Sequence, residues 1–435
     1  MSPSRLSALA ISALVLTGFV AWSTRYPTKA QAVQDREDSH ETGEHHQHPD
    51  SLYASVGATL TQYEIDTVHA ELLARSSLTF PYAIQYVWPH PFHKILYVAW
   101  ARQSGVDGPI GDQGVTAVRI ERSGALAAGA MVGQPLLLRK RPVHLSTDVP
   151  GEYLLVAHNN PPAGVTVYRL ERDGSMGDEI PQPGVVDGGI YAHQVRVDPT
   201  NRMAILVTRG NVPAEAPSHM EEPGALKVFH YDDGVLSDEV SIAPNDGFGF
   251  KPRHVDFFKH KLVFLAVERQ NQLQVYERLK DDALAPLPKF TKTTLADPVH
   301  HNETLFPAQM VGPIHISRDH RFVYLGNRNG GIGGFATDGE NNVAVFSINE
   351  KTGEPTLIQN ADTHGFVPRT ITFDEDGKIL IASNQSAVQV EDATGNVTTV
   401  PTSLAVFRIR DNGKLQYVRK YDDAGGTWAG TLTAP

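Results

Sequence analysis

The chain has 435 residues with 49 acidic and 38 basic side chains, a net charge of −11, 41% apolar residues, 37 Gly, 29 Pro and no Cys. That length exceeds one simple core, and the Gly and Pro content is that of a turn-rich globular protein rather than a disordered one. The missing Cys excludes a thiolate nucleophile, an iron–sulfur cluster, a Cys-ligated zinc and any disulfide, while the acidic balance excludes a global positive field for nucleic acid, so an anionic ligand needs a local arginine cluster.

In chain order, Leu6 to Trp22 runs without a charge and Ala30-Gln31-Ala32 follows as a small-x-small cleavage pattern. Residues 1–32 are therefore expected to be a signal peptide or an uncleaved signal anchor, which places the remainder outside the cytoplasm, periplasmic or extracellular. Any membrane association is expected through this segment alone. Residues 33–50 carry His40, His45, His46 and His48 among acidic residues with no apolar periodicity, and read as a disordered His-rich linker. The folded domain is expected over residues 51–435.

Within that domain six stretches read alike: Gln85 to Trp100, His144 to Asn159, His193 to Arg209, His254 to Glu268, His315 to Arg328 and Thr370 to Gln385. Each opens with alternating residues of strand type, turns at a polar or Gly-bearing group such as Asp198-Pro-Thr-Asn201 or Asp374-Glu-Asp-Gly377, and ends on a second apolar run. A tight antiparallel pair explains both halves. A third strand of the form apolar-x-apolar-aromatic follows, as in Val165-Thr-Val-Tyr168 or Leu404-Ala-Val-Phe407, and then a weaker fourth. Four strands per unit, with unit starts 49 to 61 residues apart, is the pattern of a propeller blade. Leu52 to Val56, Thr59 to Ile65 and Ala70 to Leu73 form three strands lacking a first one, and Thr427 to Leu432 is a spare strand at the other end. The expected fold is all-β: a seven-bladed β-propeller whose C-terminal strand joins the N-terminal blade and closes the ring.

Starts of first strands and ends of second strands lie at the same end of an antiparallel pair, so one rim of the channel should collect both sets. From the starts come Gln85, His144, His193, Arg253, His254, His315 and Arg369; from the ends come His158, Asn159, Arg209, Glu268, Asn327, Arg328, Asn384 and Gln385. Polar residues at such a rim also satisfy strand-end backbone groups, a structural role open to His144, His254 and His315. Glu268 beside Arg253 and Arg328 points to function, because ionisable groups sharing a buried rim must pair or serve a ligand.

The ordered set Pro252-Arg253-His254 with Glu268, Asn327-Arg328 after Phe322-Val-Tyr-Leu325, and Pro368-Arg369 with Ser383-Asn384-Gln385 resembles the seven-bladed β-propeller lactonase family. That family includes propeller-type 6-phosphogluconolactonases and fungal carboxymuconate lactonizing enzymes, and the resemblance runs from about Leu52 to the C-terminus. It implies His193, Arg253, Glu268 and Arg328 as the catalytic group; the rim positions supply His144, His254, His315, Arg369, Asn384 and Gln385 as substrate-binding candidates. The chain departs from the family at Val267-Glu268, where Asn-Glu is usual, and at apparent insertions over 209–224 and 298–313.

Opening a lactone needs an activated water, oxyanion stabilisation and a proton for the leaving alkoxide. Glu268 or His193 can be the base with the other as acid, and Arg253 and Arg328 can hold the oxyanion or a substrate carboxylate or phosphate. The expected partner is a small lactone or anionic sugar-acid ligand, with no cofactor. No His-x-x-x-His spacing in the strands points to a metal, and metal dependence stays open. A lactonizing enzyme and a non-catalytic extracytoplasmic propeller that binds a ligand or a protein remain alternatives.

Overall fold

Side chains that alternate between polar and apolar make a strand buried on one face, and a continuous apolar run makes one buried on both. The computed structural model describes residues 50–102, 111–216, 218–301 and 309–432, and both patterns recur throughout them. The leader and most of the His-rich linker expected before Asp50 lie outside the described residues. Among the described residues helix is confined to one 3-10 turn, Pro244–Gly247. Among the described residues no helix is long and apolar enough to cross a membrane.

The strands form seven antiparallel blades. Blade 1 is Ile84–Pro89, Ile95–Ala101, Gln113–Ile120 and Leu126–Met131, with the short strand Leu136–Leu137 added to its third. Blade 2 is Pro142–Thr147, Tyr153–His158, Gly164–Leu170 and Met176–Glu179; blade 3 is Ala192–Val197, Met203–Thr208, Ala225–Asp232 and Val235–Ile242. Blade 4 is Pro252–Phe258, Leu262–Val267, Gln272–Glu277 and Phe290–Thr293; blade 5 is Met310–Ile316, Phe322–Arg328, Asn342–Ile348 and Pro355–Asp362. Blade 6 is Phe366–Phe373, Ile379–Ser386, Ser403–Ile409 and Leu415–Asp422. Blade 7 joins the chain ends: Ala429–Leu432 is innermost and is followed outward by Ser51–Val56, Thr59–Asp66 and Glu71–Thr79, with Leu52 opposite Thr431 and Ala54 opposite Ala429.

The blades stack face against face, which is why the second strands read as unbroken apolar runs: Ile95–Ala101, Tyr153–His158, Met203–Thr208 and Leu262–Val267 are buried at every position. The core is divided accordingly, with each cluster lying between two neighbouring blades. Leu155, Val195 and Leu206 fill the gap between blades 2 and 3, and Leu52, Ile381 and Leu404 fill that between blades 6 and 7. The turns joining first to second strands in blades 2, 3 and 6 share one device. Asp148 accepts the backbone N–H groups of Glu152 and Tyr153, Asp198 those of Arg202 and Met203, and Asp374 those of Lys378 and Ile379. The residue three positions after each Asp is left-handed, Gly151 at φ 72°, Asn201 at 58° and Gly377 at 66°, which explains the Gly or Asn there.

Polar side chains of the innermost strands lace blade 2 to 3, 3 to 4, 4 to 5 and 6 to 7. Ser146 Oγ donates to the Val195 carbonyl, Gln194 Oε1 accepts from Val255 N–H, Asp256 from Ile316 N–H, and Thr370 and Thr372 from Ala429 and Thr431 N–H. Several of these strands also slip register at their start, skipping Gln85, Val143, His193, Arg253 and Arg369 in the pairing. Such a bulge bends the strand and re-aims the residues beside it.

One feature has no counterpart in the repeat pattern. Between the second and third strands of blade 6, Val388–Glu391 and Val397–Val400 form a hairpin that clasps the blade 5 loop, with Ala336 N–H donating to the Gln389 carbonyl at 2.8 Å and Gln389 N–H to that of Gly334 at 2.9 Å.

Candidate active site

The rim expected from strand polarity converges on one carboxylate. Glu268 follows the second strand of blade 4, and its backbone is pinned on both sides: its N–H donates to the Lys251 carbonyl and its carbonyl accepts from Val311 N–H of blade 5. The side chain is wholly buried. Its carboxylate pairs with Arg253 Nη1 at 2.6 Å, with Arg209 Nη1 at 3.4 Å, and with Arg328 Nη2. Arg253 arrives from the bulged start of its own blade, Arg209 from the end of the blade 3 pair and Arg328 from blade 5. The approach of Arg328 depends on Gly312, since a Cβ there would lie 3.3 Å from Arg328 Nε.

Burial by itself would raise the Glu268 pKa, but Arg253, Arg328 and Arg209 outweigh it and hold the carboxyl well below the usual carboxylate range. Burial and the neighbouring Arg253 push Arg328 well below its ordinary value, and burial lowers Arg253 as well. Arg209 is also held by Glu215 at 2.6 Å and lies over the Tyr191 ring at 4.0 Å. Arg369, at the bulge of blade 6, is brought down to about 10 by burial and by Arg253. Five guanidiniums, Arg209, Arg253, Arg269, Arg328 and Arg369, thus face two carboxylates, Glu268 and Glu215, leaving surplus positive charge in a protein that is acidic overall. The Nε atoms of Arg209, Arg253 and Arg328 are buried without a hydrogen-bond partner.

The candidate histidines line the channel beside this cluster. His193 lies with its ring 5.0 Å from that of His254 and stacked at 6.3 Å on Tyr191. His144 is 6.1 Å from His254 and 4.1 Å from Tyr86. Burial, reinforced by Arg253 at His193 and His254 and by Arg196 at His144, drives all three imidazoles well below their ordinary pKa, so they are neutral at pH 7. Burial lowers His315 too, against the opposing pull of Asp256. His193 Nδ1 and both ring nitrogens of His144 are buried without a protein partner.

His193, Arg253, Glu268, Arg328 and Arg369 therefore meet at one place, with His254, His144 and His315 extending down the channel. Two candidates are differently occupied. The Asn384 amide donates to the Thr363 carbonyl and to Ser403 Oγ, both at 3.0 Å, and so ties a loop to the third strand of blade 6; Gln385 donates to Thr427 at 3.4 Å. Sequence reading placed Arg209 only on the rim and did not find Tyr191 or Glu215. Glu215 sits in the 209–224 insertion, and Tyr191 has a left-handed backbone, φ 58°, which no local pattern announces. Among the described residues no group of three or more His, Asp or Glu side chains is placed to hold a metal ion.

Comparison with known proteins gives the site a context. A family model described as lactonase, 7-bladed beta-propeller, matches residues 51–406. The 6-phosphogluconolactonase of Bacillus subtilis (strain 168) is 25% identical over 303 residues, covering 68% of this chain and 79% of its own. That of Serratia proteamaculans (strain 568) is 25% identical over 296 residues, covering 66% and 77%. Among solved structures, the periplasmic gluconolactonase PpgL of Pseudomonas aeruginosa superposes with a TM-score of 0.65 at 16% identity, over 89% of this chain and 99% of that one. A putative 6-phosphogluconolactonase of Bacteroides uniformis gives 0.63 at 15%, over 88% and 99%. At those identities the structural likeness speaks for the fold.

Proposed function

The chain belongs to the seven-bladed β-propeller lactonase family, and from that premise we propose that it is a hydrolase opening a sugar-acid or related lactone at the guanidinium cluster of the channel mouth. The observation that carries the reading is the buried carboxylate of Glu268 holding Arg253, Arg328 and Arg209 together beside the neutral, partner-free Nδ1 of His193. A base must be able to gain a proton. Glu268 is a poor base, because three guanidiniums occupy its oxygens and stabilise its charge; His193, although burial and Arg253 lower its proton affinity too, is neutral and has an unoccupied ring nitrogen.

In this mechanism His193 takes a proton from water as the water adds to the lactone carbonyl. The charge that develops on oxygen is met by Arg253 and Arg328, whose forks Glu268 keeps oriented. When the ring C–O bond breaks, His193 returns its proton to the leaving alkoxide. Arg369 and the surplus charge of the cluster suit a substrate bearing a carboxylate or phosphate. The relatives named 6-phosphogluconolactonase and the periplasmic gluconolactonase support a sugar-acid lactone.

The same proposal takes residues 51–435 as the working domain. It takes the segment before them as an export signal followed by a linker, on the strength of the uncharged run Leu6 to Trp22 and of Ala30-Gln31-Ala32. The enzyme then acts outside the cytoplasm.

The test is a hydrolysis panel of sugar-acid lactones, with and without a phosphate or a second carboxylate, alongside aliphatic lactones. The expected result is opening of at least one anionic sugar-acid lactone, abolished by Arg328→Met. A panel left unopened by folded protein would overturn the reading in favour of a binding propeller.

A further inference from the structure

The channel below the cluster holds more imidazole than lactone opening consumes. His193, His254 and His144 come from the innermost strands of blades 3, 4 and 2, with ring centroids 5.0 Å and 6.1 Å apart in that order. Those spacings make each imidazole a direct neighbour of the next. Buried polar atoms need partners, and His193 Nδ1 with both nitrogens of His144 have none in the protein. His254 also neighbours His315, which in turn neighbours the carboxylate of Asp256, and Asp256 holds Arg196 at 3.9 Å.

We propose that His193, His254 and His144 form a proton relay that runs from the guanidinium cluster down the channel and removes the proton released at each turnover. The relay rests on the lactone-opening reading above.

The proton balance requires an exit. Water adds to the carbonyl and the acyl C–O bond breaks. One proton of the water ends on the alkoxide, and the other leaves when the product carboxylic acid ionises, so one proton must depart for each lactone opened. His193 takes it up first and is the group least able to keep it, since burial and the charges of Arg253, Arg369 and Arg209 all disfavour an imidazolium there. Departure through the mouth carries a positive charge past those same guanidiniums. Departure through His254 to His144 carries it past Arg253 and Arg369 to an imidazole where the charge opposing protonation is Arg196 and not the cluster. Arg196, stacked on Trp88 at 4.9 Å and Phe257 at 5.5 Å, opposes the last step but is itself paired with Asp256. Tyr86, against His144, stays a neutral phenol because burial pushes it up to about 12.

The experiment uses the propeller with a lactone that the wild type opens, and compares His144→Phe and His144→Asn. Steady-state kinetics are measured at pH 7 over a range of concentrations of a small diffusible buffer, together with the solvent deuterium isotope effect. The relay predicts kcat lower by about a hundredfold, at the low end for a positioned proton-transfer group, with KM little changed. It also predicts a larger isotope effect and a kcat that rises with buffer concentration, which wild type does not show. Wild-type kcat in both variants, or a loss of activity without buffer dependence in the variant that folds, overturns the relay and leaves lactone opening intact. A wild type that opens no lactone overturns the functional reading itself and the relay with it.

Discussion

Glu268→Gln separates a carboxylate that accepts protons from one that holds arginines in place. The substitution keeps the shape of the side chain and removes its charge from a wholly buried position where Arg253, Arg328 and Arg209 converge. Breaking a buried pair by neutralising one partner costs about 3–5 kcal/mol, because the remaining charge stays desolvated. The propeller spans about 380 residues, so its unfolding entropy near 60 °C is about 0.8 kcal/mol per kelvin, and the loss corresponds to a Tm lower by about 4–6 °C. Turnover should fall by about a hundredfold or more, as when an oxyanion donor is lost, because two guanidinium forks lose the group that orients them. Scanning calorimetry at low ionic strength, with and without sulfate, reads the first effect, and a lactone hydrolysis assay the second. The variant has one more uncompensated guanidinium, so sulfate should raise its Tm more than that of wild type. A variant that melts within about 1 °C of wild type, responds equally to sulfate and yet has lost turnover would make Glu268 the base and refute the reasoning.

His193→Asn should lower kcat by about two to four orders of magnitude with little change in Tm, since no protein hydrogen bond of the ring Nδ1 is lost; near-normal turnover would remove His193 from the mechanism. Asp148 is pushed up to about 6 by burial, so its stabilising contribution is fully present below its unfolded value near 4 and is lost as pH rises through about 6. Asp148→Asn retains an oxygen to accept from Glu152 and Tyr153 N–H, and its stability relative to wild type should therefore rise by up to about 3 kcal/mol between pH 4 and 7.5. A difference that stays flat across that range contradicts the burial argument. Removing the chain from Thr427 onward deletes Trp428 and the innermost strand of blade 7, and should lower Tm by at least about 5 °C, judged from the loss of a buried Trp alone; unchanged melting would mean that the ring does not depend on its closure.

The architecture was legible because each second strand is buried on both faces and therefore reads as an apolar run, and because three N-terminal strands visibly lacked a first one. The rim was legible for a related reason: strand polarity alone puts Arg253, Glu268 and Arg328 at one end. What polarity does not give is the number of partners on each charge. Glu268 beside two arginines can be read as a base, and only the arrival of Arg209, with both backbone neighbours of Glu268 pinned, marks it as an anchor. Nor does alternation foresee the bulges. They let consecutive residues such as Arg253 and His254 both serve the channel, where strict period-two reading would send one of them into a blade interface. The clasp of the 388–400 hairpin on the blade 5 loop was missed because backbone bonds between two exposed segments leave no apolar signature.

The seam in blade 7 has a further consequence, for the order in which the molecule comes together. Ser51–Val56 meets its inner partner only when residues some 380 positions later are in place, as the pairing of Leu52 with Thr431 requires. Joining segments that far apart carries a chain-entropy penalty of about 5 kcal/mol from length alone. The other six blades pair strands that are near neighbours in sequence and can form while the chain is still open. Closure, the docking of the last strand together with the packing of blade 7 on blade 6, is thus the long-range event in assembly, offset by the packing of Trp428 and of Leu52 on Ile381 and Leu404, the Thr370 and Thr372 acceptors and the bond from Trp428 N–H to Ser55 Oγ. A propeller joined in this way is a chain of local folds with a single latch, and the latch sets when the channel becomes a closed ring.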